Sequence, residues 1–354
     1  MPAIAVPVAA QSCPFDKAMP PDDSTQRKVA SFMHELRERL ETHQVAIYFA
    51  AIVAAVACAF ALSGTASWEA AINPALALML YVTFLQVPMA ELRRAFTQMR
   101  FLGALLVANF VVIPVLVGLL VQLLPVDPLV RLGVLLVLLA PCIDYVVTFS
   151  HLGRADARLL LAATPALLIA QMLLLPVYLN AFLGASAAGP VQLAPFLDAF
   201  VWLIAVPLLL AALTQFWAAK HASSVKVSAV LGLLPVPATA FVLLVVVAAV
   251  VPQLGSAREI ALKVAPIYVA FAVAAPLLGW LIARLFRLEA PAGRAVAFSA
   301  ATRNSLVVLP LALAVPGAVP VLPAIIVTQT MIELISELVY MRWIAKFGGG
   351  SDAR

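Results

Sequence analysis

The sequence predicts an all-α integral membrane protein of ten transmembrane helices, built as two inverted five-helix repeats whose broken fourth and ninth helices cross at the midplane. Three observations predict it. The 354 residues are 64% hydrophobic and only 11% charged, with a mean hydropathy of +1.07, a composition outside the range of water-soluble domains. Ten apolar stretches, each long enough to cross a hydrocarbon core, follow one another between residues 45 and 343. Landmarks of the first five stretches return in the last five at a spacing of 162 to 164 residues.

Residues 1–44 are polar, with acidic among basic residues and no apolar core ahead of a small-residue cleavage site, so they read as a retained tail and not a secretory signal. Within them Val29, Phe32, Met33, Leu36 and Leu40 recur at helical spacing against Arg27, Lys28, Glu35, Arg37, Glu38 and Arg39. That pattern fits an amphipathic helix at the membrane interface, and equally a solvated one. The first repeat occupies 45–184, with spans at 45–63, 70–88, 101–123, 129–151 and 156–184. A loop at 185–196 connects it to the second repeat at 197–343, with spans at 197–218, 227–251, 260–286, 293–315 and 321–343; residues 344–354 are a C-terminal tail. With both termini cytoplasmic, the inside segments hold eighteen Lys and Arg and the outside loops three. The positive-inside rule then sets this orientation for a multi-pass protein of the cell (plasma or inner) membrane.

The internal echo rests on prolines. Val87-Pro88 closes the second span and Val251-Pro252 the seventh; Pro114 lies in the third and Pro276 in the eighth; Pro141 falls in the fourth where Thr302 to Asn304 fall in the ninth. An odd number of spans in each half inverts one half against the other.

Four ionisable residues lie inside spans and away from their ends: Asp144, Arg303, Glu333 and Glu337. Each costs ~3 kcal/mol at a helix centre, so together they must be paired, hydrated or neutralised. Asp144 follows Ala140-Pro141-Cys142, and Arg303 lies in Ser299–Leu306, where five of eight residues are polar. Interrupted helices at corresponding places in two inverted repeats point to a transporter's substrate site, because their free backbone groups and helix dipoles face a cavity. A salt bridge between Asp144 and Arg303 that merely joins the broken helices is the other reading. Glu333 and Glu337 lie one turn apart, with Gln329 and Thr330 a turn earlier, and Gln171 sits at the position corresponding to Glu333 in the first repeat. A polar seam therefore faces inward. Burial disfavours the charged form of a carboxylate, which makes Glu333 the candidate proton carrier; Glu337 fits interhelical hydrogen bonding or a place near the interface. Cys142 is either a soft ligand for a metalloid or a small buried apolar residue. Asn109 and Pro114 are either a cavity-lining amide with a kink or helix packing.

Other functions find little support. Cys13, Cys58 and Cys142 are too scattered for a disulfide framework or a metal cluster. The basic residues lie in short loops and report topology, so nucleic acid is excluded as a partner. His34, His43, His151 and His221 lie in the tail or near span ends, and there is no Gly-x-Ser-x-Gly, no zinc-protease helix and no P-loop. The chain reads as no enzyme, with no cofactor and no ATP dependence; its expected partners are lipid, protons and a small substrate.

Several of these residues together form a family pattern. Ala140-Pro141-Cys142 is followed fourteen residues after the cysteine by Asp156; Asn109 and Pro114 enclose four residues in the third span; a polar break ends in Asn304 in the ninth; Glu333 lies in the tenth. In this the chain, over 45–345, resembles the bile acid:sodium symporter superfamily, and within it the arsenite efflux permeases of the arsenical-resistance type. Sodium-coupled members of that superfamily carry a Ser-Asn pair where Val146 and Val147 stand here, and Glu with Gln-Asn where Ser299 and Arg303-Asn304 stand. A fixed guanidinium near a former sodium position repels sodium, so the resemblance implies coupling to protons or none. The chain departs from the arsenite permeases too: Ser305 and Leu306 replace an aromatic residue and a glutamate, and Asp144 replaces a small residue.

The resemblance implies proton-coupled efflux, by antiport, of trivalent arsenite or antimonite. Cys142 would be the metalloid ligand, Asp144, Asn109, Arg303 and Asn304 would complete the substrate site, and Glu333 would carry the proton. Gln171, Ser305 and Glu337 are secondary candidates. Transport of a small organic anion, with Arg303 meeting its carboxylate and helix N-termini completing the site, is the alternative.

Overall fold

Prolines, a pair of aspartates and one asparagine set many of the helix boundaries. The computed structural model describes residues 24–62, 64–85, 98–143, 145–184, 201–220, 230–313, 315 and 317–348. Asp144, Val87, Pro88, Cys13, the first part of the tail and the expected loop at 185–196 lie outside the described residues.

Among the described residues the chain is helical, with no strand. Its helices are α1 (Ser24–Ala61), α2 (Glu69–Phe84), α3 (Met99–Val121), α4 (Pro128–Leu138), α5 (Tyr145–Leu152) and α6 (Ala157–Leu183). They continue with α7 (Val206–Lys220), α8 (Pro235–Val250), α9 (Leu254–Leu285), α10 (Ala290–Ala301), α11 (Ser305–Leu313) and α12 (Val321–Trp343). The apolar stretches at 129–151 and 293–315 are each divided into two short helices, α4 with α5 and α10 with α11.

Helices α1, α3, α6, α9 and α12 are long and apolar enough to cross a membrane. Helices α2 and α8 have 16 residues each and rise about 24 Å, short of a ~30 Å hydrocarbon core. Helix α8 ends where Pro252 removes a backbone donor and a 3₁₀ turn, Val251–Gln253, takes over. No break separates the charged tail segment from the first span: α1 runs from Ser24 to Ala61, with Arg39–Glu35 and Arg37–Glu41 pairs one turn apart on its exposed side.

Polarity is turned inside out relative to a water-soluble protein. Val115, Leu119, Leu173, Val177, Leu281 and Leu285 are exposed, whereas Asn109, Arg303, Asn304, Gln329, Glu333 and Glu337 are buried. Helices α1, α2, α7 and α8 pack on one another, and α3 to α6 pack with α9 to α12 around the two interrupted helices. Gly279 allows α9 and α10 to approach closely, since a Cβ there would meet Ala300 Cβ at 2.7 Å and Ala297 Cα at 2.9 Å.

Two prolines have a shared solution. A helical proline leaves the carbonyl four residues earlier without its amide donor. For Pro114 that carbonyl is Phe110 O, in a π turn at Ala108–Val112, and Tyr178 Oη donates to it at 2.5 Å. For Pro276 it is Ala272 O, and Tyr340 Oη donates to it at 2.5 Å. The carbonyls differ by 162 in number (272 − 110), and so do the tyrosines (340 − 178).

Candidate functional site

The two helix breaks meet. Pro141 and Arg303 form an isolated antiparallel bridge, with Cys142 N donating to Thr302 O (3.1 Å) and Asn304 N to Ala140 O (2.8 Å). Every pair here is separated by 162 once the partners are exchanged: 140 with 302, 141 with 303 and 142 with 304. The two bonds thus have the form of a local two-fold. Proline and extended residues leave backbone groups unused by the helices, and the bridge satisfies some of them. Thr302 is extended (φ −96°, ψ 128°). Asn304 restarts the chain as a helix, its Oδ1 accepting from Val307 N at 3.3 Å, the bond of an N-cap.

Arg303 is wholly buried. Its Nη2 donates to Ser299 O (2.5 Å), Ala300 O (2.7 Å) and Asn109 Oδ1 (2.8 Å), and Nη1 lies 3.4 Å from Leu138 O. Nε has no hydrogen-bond partner among the described residues. The carbon of the guanidinium lies 5.5 Å from the Phe271 ring centroid, within range of a cation–π contact. Asn109 also donates from Nδ2 to Ser299 Oγ and Leu105 O, both at 3.0 Å, so its amide joins α3 to α10.

The Glu333 carboxylate collects donors from three directions. Oε2 accepts from the Arg303 backbone N–H (2.7 Å) and from Gln329 Nε2 (2.5 Å), while Oε1 is hydrogen-bonded to Tyr145 Oη. The same tyrosine hydroxyl lies 3.1 Å from Arg303 O. Ser305 Oγ donates to Gln329 Oε1, extending the chain of bonds from Tyr145 through Glu333 and Gln329 to α11. A cavity of about 10 Å³ opens between Tyr268, Phe271, Gln329, Glu333 and Tyr340, room for about one water molecule. The Tyr268 hydroxyl is buried there without a partner among the described residues.

The sequence-predicted residues are thereby sorted. Cys142, Asn109, Arg303, Asn304, Ser305 and Glu333 come together around the crossing, with Cys142 fully buried in the bridge itself. Glu337 belongs to it also: it is fully buried, and its Oε1 lies 2.5 Å from Thr302 Oγ1 while Oε2 has no partner among the described residues. Gln171 is buried on α6, and among the described residues its Oε1 has no partner and no bond links it to the network. Asp144 lies outside the described residues. Asp156 acts as the N-cap of α6, accepting from Leu159 N at 3.0 Å.

Sequence reasoning missed Tyr145, Thr302 and Ser299. Tyr145 carried a usable signal, a hydroxyl within an apolar span immediately after the Pro141 break. Nothing in the sequence marked the carbonyls of Leu138, Ser299 and Ala300 as ligands.

A family model described as the Sodium Bile acid symporter family matches residues 73–257, more than half of the 354 residues. The match runs from within α2 to just past α8, taking in Asn109, Cys142 and Gln171, and stops before Arg303 and Glu333. No curated protein matches the chain.

Proposed function

The chain belongs to the sodium bile acid symporter family, and from that premise we propose that it is a proton-coupled secondary transporter exporting trivalent arsenite or antimonite across the cell (inner) membrane. It is a multi-pass membrane protein. Ten spans in two inverted repeats, with both termini cytoplasmic, complete the reading. The two-fold form of the 141–303 bridge and the paired Tyr178 and Tyr340 bonds, each repeated at 162 residues, support the repeat.

The observation that carries proton coupling is the placement of Tyr145 between Glu333 Oε1 and Arg303 O. With Glu333 ionised, the tyrosine donates to the carboxylate. With a proton on Oε1, Glu333 donates to the tyrosine oxygen and the tyrosine turns its own proton to Arg303 O. Oε2 keeps its two donors in both states. Each protonation state therefore has a satisfied network, so proton uptake leaves no buried polar group stranded, a cost of about 1–3 kcal/mol where it occurs. One proton also changes the charge beside a buried arginine, which gives the two states different electrostatics at the crossing.

Cys142 supplies the soft ligand. An As–O bond to one hydroxyl of arsenous acid breaks, an As–S bond forms, and the thiol proton leaves with the hydroxyl as water. A single thiolate holds the metalloid weakly, which suits a carrier that must release its load. The test is arsenite uptake into everted vesicles under an imposed pH gradient. Gradient-dependent uptake above empty vesicles, lost in Cys142→Ser, is expected; uptake undiminished in that variant removes the ligand role.

A second reading, transport of a small organic anion, is favoured by the family match. The N-termini of α5 and α11 begin at the breaks and would meet its carboxylate. Organic-anion uptake that survives Cys142→Ser but not Arg303→Lys selects it.

A further inference from the structure

Two arginines adopt a backbone conformation that suits glycine. Among the described residues, Arg154 (φ 57°) and Arg287 (φ 55°) are the only non-glycine residues with positive φ. A bulky L-residue is costly in this left-handed region, because its Cβ crowds the following carbonyl oxygen. Each arginine closes a helix in the same way. After α5, Ala155 N donates to Ser150 O (2.9 Å) and Arg154 N to His151 O (3.1 Å); after α9, Leu288 N donates to Ala283 O (3.0 Å) and Arg287 N to Arg284 O (3.0 Å). Those two bonds define a Schellman turn, whose left-handed residue is usually glycine. Glycine does take the positive-φ place after α6, at Gly184 (φ 62°).

Neither packing nor helix capping accounts for the arginines. Both side chains are exposed, and among the described residues no carboxylate oxygen lies within 4.0 Å of either guanidinium. A basic residue complements a helix C-terminus from an ordinary helical conformation, and His151 and Arg284 already stand in the last turns of α5 and α9. The nearby Asp156 is engaged as the N-cap of α6 through Leu159 N.

The two turns share one end of the molecule. Asp156 N donates to Pro291 O (2.9 Å) and so joins the segment after Arg154 to the loop that follows Arg287. Two residues before the arginines stand exposed leucines, Leu152 and Leu285. Each guanidinium is thereby set at the border between the lipid-facing surface and the polar layer, at the end that the positive-inside rule places in the cytoplasm. Anionic lipids give that leaflet a negative surface, and a guanidinium matches a phosphate with two parallel N–H bonds.

We propose that Arg154 and Arg287 are headgroup anchors, held out by their left-handed turns to bind the phosphates of anionic phospholipids beside the ends of α5 and α9. The backbone cost of each turn is then offset by a contact that forms only in an anionic membrane. The surface lies apart from the crossing and does not depend on what the chain transports.

The test is thermal unfolding of the purified full chain in detergent, with phosphatidylglycerol or, at the same mole fraction, phosphatidylcholine. Phosphatidylglycerol should raise the unfolding temperature of the unsubstituted protein above its value in phosphatidylcholine along a saturable curve, as expected for a ligand of the folded state. Arg154→Gly and Arg287→Gly should each reduce that increment, and the double variant should lose most of it. Arg258→Gln, which removes an exposed charge near the opposite end of α9, should leave it intact. In detergent without lipid both glycine variants should unfold no lower than the unsubstituted protein, because glycine adopts the left-handed turn without strain. Absence of the increment, its full retention in the double variant, or an equal reduction by Arg258→Gln overturns the proposal. So does an equal increment from soluble inorganic phosphate, which would make the ligand a free anion. A lower unfolding temperature of the glycine variants without lipid overturns it too, because the arginines then serve the fold itself.

Discussion

Tyr340→Phe isolates a single bond between a side chain and a proline-freed carbonyl. The substitution keeps the ring, which packs edge-on against Phe298 with centroids 6.4 Å apart, and deletes the donor to Ala272 O. Interhelical hydrogen bonds in membranes are worth about 0.6 kcal/mol on average and up to about 1.7. Ala272 O has lost its own amide donor to Pro276, which places this bond in the upper part of that range, at about 1–1.5 kcal/mol. Pro276→Ala restores the amide, so the carbonyl regains a partner within the helix. Tyr340→Phe should then cost much less in the Pro276→Ala background, and the double-mutant cycle should return a coupling of about 1 kcal/mol. Tyr178→Phe with Pro114→Ala should behave in the same way at Phe110 O. The assay is reversible unfolding in mixed detergent micelles followed by circular dichroism. Equal costs of Tyr340→Phe with and without Pro276 would refute the argument that proline creates the need for the tyrosine.

Two further outcomes follow from the geometry. Tyr145→Phe retains the edge contact with Phe149 at 6.1 Å but removes the hydroxyl between Glu333 and Arg303 O; a bond to a charged group is worth about 1.5–3 kcal/mol, so pH-driven flux should fall about tenfold or more at unchanged protein level in the membrane. Unaltered flux would count against the relay. Gly279→Val forces a Cβ to within 2.7 Å of Ala300 Cβ and should destabilise by about 1–3 kcal/mol, read as a lower unfolding temperature; a neutral result would show that α9 and α10 can separate at no cost.

The helical, membrane-embedded character of the chain and its two helix breaks were legible because each depends on local composition. Pro141 and the polar run from Ser299 to Asn304 interrupt apolar sequence, and an interrupted helix in lipid must find partners for its freed backbone groups. The 162-residue spacing was visible through prolines for the same reason: Pro114 and Pro276 are unambiguous letters, whereas the tyrosines that answer them, Tyr178 and Tyr340, lie 64 residues away (178 − 114 and 340 − 276) and gain meaning only when the helices pack. Arg303 was found as a buried charge, but its partners are carbonyl oxygens, which every residue possesses and no sequence pattern distinguishes. For Glu337 the sequence left two readings, interhelical hydrogen bonding or a place near the interface. It is fully buried and bonded to Thr302, in the break between α10 and α11, a contact set by how α12 lies against the break and not by its position along α12.

Proton coupling through Glu333 is tested most directly by measuring protons, not cargo. Purified protein is reconstituted into liposomes containing a pH-sensitive dye, and arsenite is added on one side at constant buffer composition. The account predicts an arsenite-dependent change of internal pH that is the same in sodium and choline media and is abolished in Glu333→Gln, while that variant still binds arsenite through Cys142. A pH change of undiminished size in Glu333→Gln, or arsenite flux in the unsubstituted protein with no proton movement, would contradict it.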